Sequence, residues 1–199
     1  MITTIAWDIT NQGGRVFYTG GFVRDYLLQD EAPDGKDIDL EVFGLDKAKL
    51  ISVLSTYGQP IEVGKSFPII KISHHPEWDF TLPETPEVSY REACARRDFT
   101  INAMIMDVIT GEILDFFGGQ EDLENRFIRH TTENVLKKDP LRTYRAVQLA
   151  ARFGFSIDAA TLELMKQTNL DNIKPERILE ELRKLLLLAP QPSLGLSYM

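Results

Sequence analysis

A single cysteine, Cys94, stands in 199 residues, which excludes a disulfide framework and points to a reducing compartment. Only three histidines (His74, His75 and His130) accompany it, too few soft ligands for a four-coordinate zinc site. Any metal chemistry must therefore run on carboxylate oxygens and a hard ion such as magnesium. Long apolar runs are also missing. The longest, 185–189, falls far short of the ~20 residues of a membrane span. The opening MITTIAWDIT lacks the basic and apolar regions of a signal peptide. Together these absences lead to the expectation of a soluble, cytoplasmic protein with no membrane partner. A basic excess is lacking too: 22 basic against 30 acidic residues leave a net charge of −8, which speaks against a general nucleic-acid binder. Local clusters run the other way, at Arg91/Arg96/Arg97 and Lys137/Lys138/Arg142/Arg145.

What is present is a globular composition, 43% apolar and 26% charged, for one domain or a domain with a helical annex. The first two-thirds alternate short strands and helices. A β-prone run at 16–18 ends in Gly20-Gly21, and 22–28 carries apolar residues at helical spacing. Residues 37–43 alternate Asp-Ile-Asp-Leu-Glu-Val, the period of a strand with one wet face. A helix at 47–57, strands at 61–63, 69–73 and 78–82 with a loop at 74–76, a helix at 89–97 and a hairpin across Thr110-Gly111 follow. After Gly118-Gly119 the chain reads as helices at 121–126, 140–153, 159–167 and 175–188, with starts at Asp139-Pro140, Asp158 and Lys174-Pro175. The expected organisation is a mixed-sheet domain over 1–136 and an all-helical segment over 137–199.

Five constellations could carry chemistry. Gly20-Gly21 with Arg24-Asp25, where a strand runs into a helix, lets backbone N–H groups approach a phosphate and adds an arginine fork. The plain alternative is two turn glycines and a surface pair. Asp37-Ile38-Asp39 puts two carboxylates on one strand face, spaced to share divalent ions, or else makes the charged wet face of an edge strand. Asp79, between Trp78 and Phe80, either faces water or joins those carboxylates. Arg96-Arg97-Asp98-Phe99-Thr100-Ile101-Asn102 suits the phosphates and ribose of a nucleotide, or is a capped turn with solvated arginines. Asp139-Pro140-Leu141-Arg142 is an ordinary helix start. Yet Arg142, Arg145, Gln148 and Arg152 form one polar stripe whose cations oppose the helix dipole unless something anionic lies near.

In this order, the motifs closely resemble the family of class II tRNA nucleotidyltransferases and bacterial poly(A) polymerases. Supporting stretches are Asp115-Phe116-Phe117-Gly118-Gly119, 150–155 and Pro175-Glu176-Arg177, and the resemblance runs over about 16–188. It implies an α+β, polymerase-beta-like nucleotidyltransferase head followed by a helical neck, cut before the body and tail domains. It assigns Asp37 and Asp39 to catalytic Mg2+ and Asp79 to the third acidic strand position. Gly20, Gly21 and Arg24 go to the triphosphate, and Arg97, Asp98 and Asn102 to phosphate and ribose. Asp139 and Arg142, supported by Arg145, become a protein template for the base of CTP or ATP. The implied reaction is template-independent addition of C and/or A to the 3′ end of tRNA or another RNA.

Three departures from the family pattern stand out: Lys138 where Glu is usual, Gln148 where Arg is frequent, and only residues 81–89 between Asp79 and the next helix. The short connection fits a CC-adding specificity. Two other readings remain at this stage, a poly(A) polymerase and, in another class, a non-catalytic nucleotide-binding module.

Overall fold

The computed structural model describes residues 1–29, 38–64 and 68–199. The chain forms two compact units, one of residues 1–94 with 104–116, the other of residues 95–103 with 117–199. The architecture is α+β, as the sequence pattern predicts.

The first unit opens with α1 (Ile2–Asn11), β1 (Arg15–Thr19), α2 (Gly21–Gln29) and β2 (Ile38–Phe43). It continues through α3 (Lys47–Leu54), β3 (Pro60–Val63), β4 (Ile69–Ile72), β5 (His75–Thr81) and α4 (Tyr90–Ala95), and closes with β6 (Ile105–Asp107) and β7 (Ile113–Leu114). The seven strands form one sheet in the order β3-β4-β5-β2-β1-β6-β7. It is mixed, because β2 and β5 run parallel whereas β1 is antiparallel to both of its neighbours. One sheet face is the core. Ile38, Leu40 and Val42 of β2 pack there with Ile70, Ile72, Trp78 and Phe80, under Ile5, Ala6 and Ile9 of α1 and Leu50 and Leu54 of α3. The alternation of β2 is thus resolved: apolar side chains go to the core, and Asp39 between them is exposed.

The opposite face is buried at one end only. Phe17 and Phe43 meet edge-on, with centroids 5.6 Å apart, and Tyr90 of α4 packs against both. α4 is entered through a capping box: Glu92 Oε2 accepts from the Ser89 N–H at 2.9 Å, and Ser89 Oγ accepts from the Glu92 N–H at 3.3 Å. That fixes the short connection after β5. The loop expected at 74–76 is shorter than it reads, since β5 begins at His75. Its ring stacks on Trp78, centroids 3.7 Å apart, and His75 pairs with Ile72 across the turn.

The second unit begins with a 3-10 turn over Thr100–Asn102 and then α5 (Gly119–Asn125) and β8 (Phe127–Ile128). α6 (Val135–Lys138), α7 (Leu141–Phe153), β9 (Ser156–Ile157), α8 (Ala159–Lys166), α9 (Pro175–Leu188) and α10 (Pro192–Leu196) complete it. The stretch from 137 onward is helical except for β9, which pairs in parallel with β8. α7 and α9 pack face to face, with Val147, Ala150 and Ala151 of α7 and Leu185 of α9 buried. α10 is pressed so closely on them that a Cβ at Gly195 would lie 2.6 Å from Leu185 Cδ1 and 2.9 Å from the Val147 carbonyl. Buried Asp122 of α5 ties the turn to the residue that follows β8, accepting from Thr100 Oγ1 at 2.5 Å and from Arg129 Nε at 2.9 Å.

Candidate active site

Strand register gathers one group of candidates on the wet end of the sheet face opposite the core. Asp39 stands directly across from Asp79 on the parallel neighbours β2 and β5. Neighbouring strands lie about 4.8 Å apart, so two carboxyl groups are held within reach of one another. Thr19, at the end of β1, lies beside Asp39 and donates from Oγ1 to its carbonyl at 3.4 Å. On the far side, the Lys71 ammonium of β4 ion-pairs with Asp79 Oδ1 and donates to the Pro76 carbonyl at 2.7 Å. Thr19, Asp39, Asp79 and Lys71 therefore form one row across four adjacent strands. Asp37 lies outside the described residues.

The chain leaves this row through a turn shaped for an anion. Gly20 has φ +64°, the left-handed region that glycine enters without a Cβ clash, and Gly21 opens α2. Arg24 is buried, 5% exposed, and its guanidinium folds back over Gly21; a Cβ there would sit 3.1 Å from Nη2. Asp25 aims it, Oδ1 accepting from Nε and Nη2 at 2.7 Å each. A helix N-terminus with no side chain in the way and an oriented guanidinium one turn in is a fitting cradle for phosphate.

The second unit gathers the other candidates. Buried Asp98 accepts from its neighbour Phe99 N–H at 2.8 Å and from Asn102 Nδ2 at 3.0 Å through Oδ1, and pairs with Arg145 Nε at 2.7 Å through Oδ2. Asp98 is not the cap expected of it, since the turn's N-cap is Phe99 with no side-chain hydrogen bond; instead it braces the turn through Asn102 and fixes Arg145. Arg142 donates to the carbonyls of Arg96 at 2.9 Å and Val135 at 3.2 Å. Burial pulls this guanidinium below its ordinary value, against the fields of Asp98 and Asp139 that raise it. The Arg97 carbonyl accepts from Thr131 Oγ1 at 2.6 Å. Asp139, extended at φ −143°, enters α7 ahead of helical Pro140. Its carboxylate is held by Arg177 of α9, Nη1 to Oδ1 at 3.2 Å and Nη2 to Oδ2 at 2.9 Å.

Two sequence families have models that match: "Poly A polymerase head domain" over residues 73–129 and "Probable RNA and SrmB- binding site of polymerase A" over residues 154–199. The Multifunctional CCA protein of Haemophilus ducreyi is 36% identical over 86% of this chain and 45% of its own length. The CCA-adding enzyme of Coxiella burnetii is 36% identical over 86% of this chain and 48% of its own. Among solved structures, the Thermotoga maritima CCA-adding enzyme complexed with tRNA superposes with a TM-score of 0.85 at 27% identity, over 99% of this chain and 48% of that one. A complex of a CCA-adding enzyme with CTP superposes at 0.82, over 98% and 48%. The chain belongs to the family of CCA-adding enzymes and poly(A) polymerases. It spans about half the length of the curated relatives it matches.

The contacts set two residues apart that sequence reasoning passed over. Arg177 lies in a stretch quoted only as supporting the resemblance, and its partner is 38 residues away, so no local spacing reveals the clamp on Asp139. Lys71 leaves a faint mark, a polar residue inside the apolar strand Ile69-Ile70-Lys71-Ile72. Among the described residues no three His, Cys, Asp or Glu side chains converge as a metal group. Asp39, an exposed carboxylate on the wet face, nonetheless has the donor chemistry that suits a hard ion.

Proposed function

We propose that this chain is the catalytic and nucleotide-selecting part of a template-independent nucleotidyltransferase that adds C, A or both from CTP and ATP to the 3′ end of tRNA. The observation that carries the reading is the strand row containing Asp39 and ending at Thr19, which leads directly into the Gly20-Gly21-Arg24 turn. The relatives named for CCA addition, and the CCA-adding enzymes solved with CTP, with ATP and with tRNA, support it.

In this reading the RNA 3′-hydroxyl oxygen attacks the α-phosphorus in line, the bond from that phosphorus to the bridging oxygen breaks, and pyrophosphate leaves with the electron pair. The hydroxyl proton passes to water. Asp37 and Asp39 would hold Mg2+, which when bound would lower the hydroxyl's pKa and neutralise the leaving pyrophosphate. Gly20 and Gly21 let backbone N–H groups reach the triphosphate, and Arg24 fixes its charge. Arg97 and Asn102 serve phosphate and ribose, with Asp98 holding the turn that presents them. Asp139 offers an acceptor and Arg142 a donor fork to the base edge, Arg145 in support. The domain reading is a head over 1–136 and a neck over 137–199, and the place of action is the cytoplasm. The short connection over 81–89, closed by the Ser89–Glu92 capping box, favours CC addition within the family.

Incubating the chain with Mg2+, labelled CTP or ATP and tRNA lacking its terminal CCA tests this. Addition of one to three nucleotides is expected. Long A tracts from ATP alone would favour a poly(A) polymerase. No incorporation above that of an Asp39→Asn variant would leave a nucleotide-binding module instead.

A further inference from the structure

Asp79 has the position of a third metal carboxylate, but its surroundings speak for a different role. Lys71 reaches it from the adjacent strand, and its ammonium is fixed at two points: Asp79 Oδ1 and the Pro76 carbonyl at 2.7 Å. The pair is sheltered, with side-chain exposures of 27% for Lys71 and 20% for Asp79. Shelter matters because exposed ion pairs are screened and weak, whereas pairs drawn partly out of water hold their partners. The row places Asp39 one strand beyond Asp79, on the side away from Lys71. A cation bridging Asp39 and Asp79 would have to displace the ammonium from Oδ1 or share the carboxylate with it. Sharing sets two positive charges on one carboxylate, which costs affinity.

We infer that Lys71 is a positioning residue that occupies Asp79 and keeps its carboxylate out of the metal-ligand set. The ammonium takes the place of an ion at Asp79, and ion binding is confined to the Asp39 side. Asp79 then serves to hold Lys71. The inference rests on the proposed metal-dependent reading and deepens it.

The test is Mn2+ binding to the full chain, read by electron paramagnetic resonance without nucleotide or RNA, with thermal melting as a check on folding. Asp39→Asn is expected to weaken Mn2+ binding roughly tenfold or more, since it removes a ligand. Asp79→Asn is expected to leave affinity within about twofold, because that carboxylate is not a ligand. Lys71→Met frees the carboxylate and is expected to tighten binding roughly fivefold or add a second equivalent. Lys71→Arg, which keeps the charge, is expected to behave as wild type. The double variant Lys71→Met with Asp79→Asn is expected to return to wild type, which a merely structural lysine would not produce. Loss of affinity in Asp79→Asn matching that in Asp39→Asn, or unchanged affinity in Lys71→Met, overturns the inference while leaving the metal at Asp39. Unchanged affinity in Asp39→Asn overturns the metal reading itself, and the inference with it.

Discussion

Arg177 grips Asp139 with both terminal nitrogens, one on each carboxylate oxygen, at 3.2 and 2.9 Å. A planar fork on a planar carboxylate fixes orientation as well as charge. Asp139 is the proposed acceptor for the base edge, so its angle matters more than its presence. Arg177→Lys keeps the charge and loses the fork. Discrimination of CTP and ATP against UTP and GTP should fall by roughly tenfold, while stability changes by less than about 1 kcal/mol, as befits a half-exposed pair. Binding constants for the four nucleotides, with a melting curve, check both halves.

Gly21→Ala separates stability from binding. Gly21 is helical rather than left-handed, so alanine suits its backbone and should gain up to about 1 kcal/mol in helix propensity. The added Cβ meets Arg24 Nη2 at 3.1 Å, so the guanidinium must give by a few tenths of an ångström and its aim at the phosphate changes. The expected variant melts no lower than wild type and binds CTP at least about tenfold more weakly, the loss typical of a displaced charged hydrogen bond. A variant that binds normally would remove Arg24 from the phosphate cradle.

Much of this was legible in the residues, and the reasons differ from place to place. β2 shows itself because Ile38, Leu40 and Val42 alternate with Asp39 and Glu41, and the core face obeys that period. α9 announces its start through Lys174-Pro175. α1 is harder to foresee: its ITTIAWDITN is rich in β-branched residues that disfavour helix. Burial of Ile5, Ala6 and Ile9 against the sheet overrides that preference. The candidate residues were legible as motifs, but their partners were not. Asp79 with Lys71 and Asp139 with Arg177 are joined by strand order and helix packing, which no spacing along the chain encodes.

Acid stability should turn on Asp107. Burial raises this carboxyl's pKa, but the Thr110 and Ile109 N–H groups and the Arg15 guanidinium outweigh that and hold it below the ordinary carboxylate range. A depressed folded pKa gives stability that is complete above the unfolded value, near about pH 4, and is lost as pH falls through the folded one. Asp107→Asn should cost about 1 kcal/mol at pH 7, because Arg15 is 43% exposed and partly screened. The gap to wild type should close as pH falls from about 4 through the lowered folded value, where the carboxyl protonates in both states. Melting curves across that range decide it.

The most direct test of the central claim is calorimetric titration of the chain with CTP, ATP, UTP and GTP in Mg2+, beside an Asp139→Ala control. No RNA is needed, so nucleotide selection is read by itself. The account predicts that CTP and ATP bind roughly tenfold or more tightly than UTP and GTP, the discrimination that paired hydrogen bonds to a base edge can supply, and that Asp139→Ala erases the preference. Equal binding of all four nucleotides, or none by a folded chain, would contradict it.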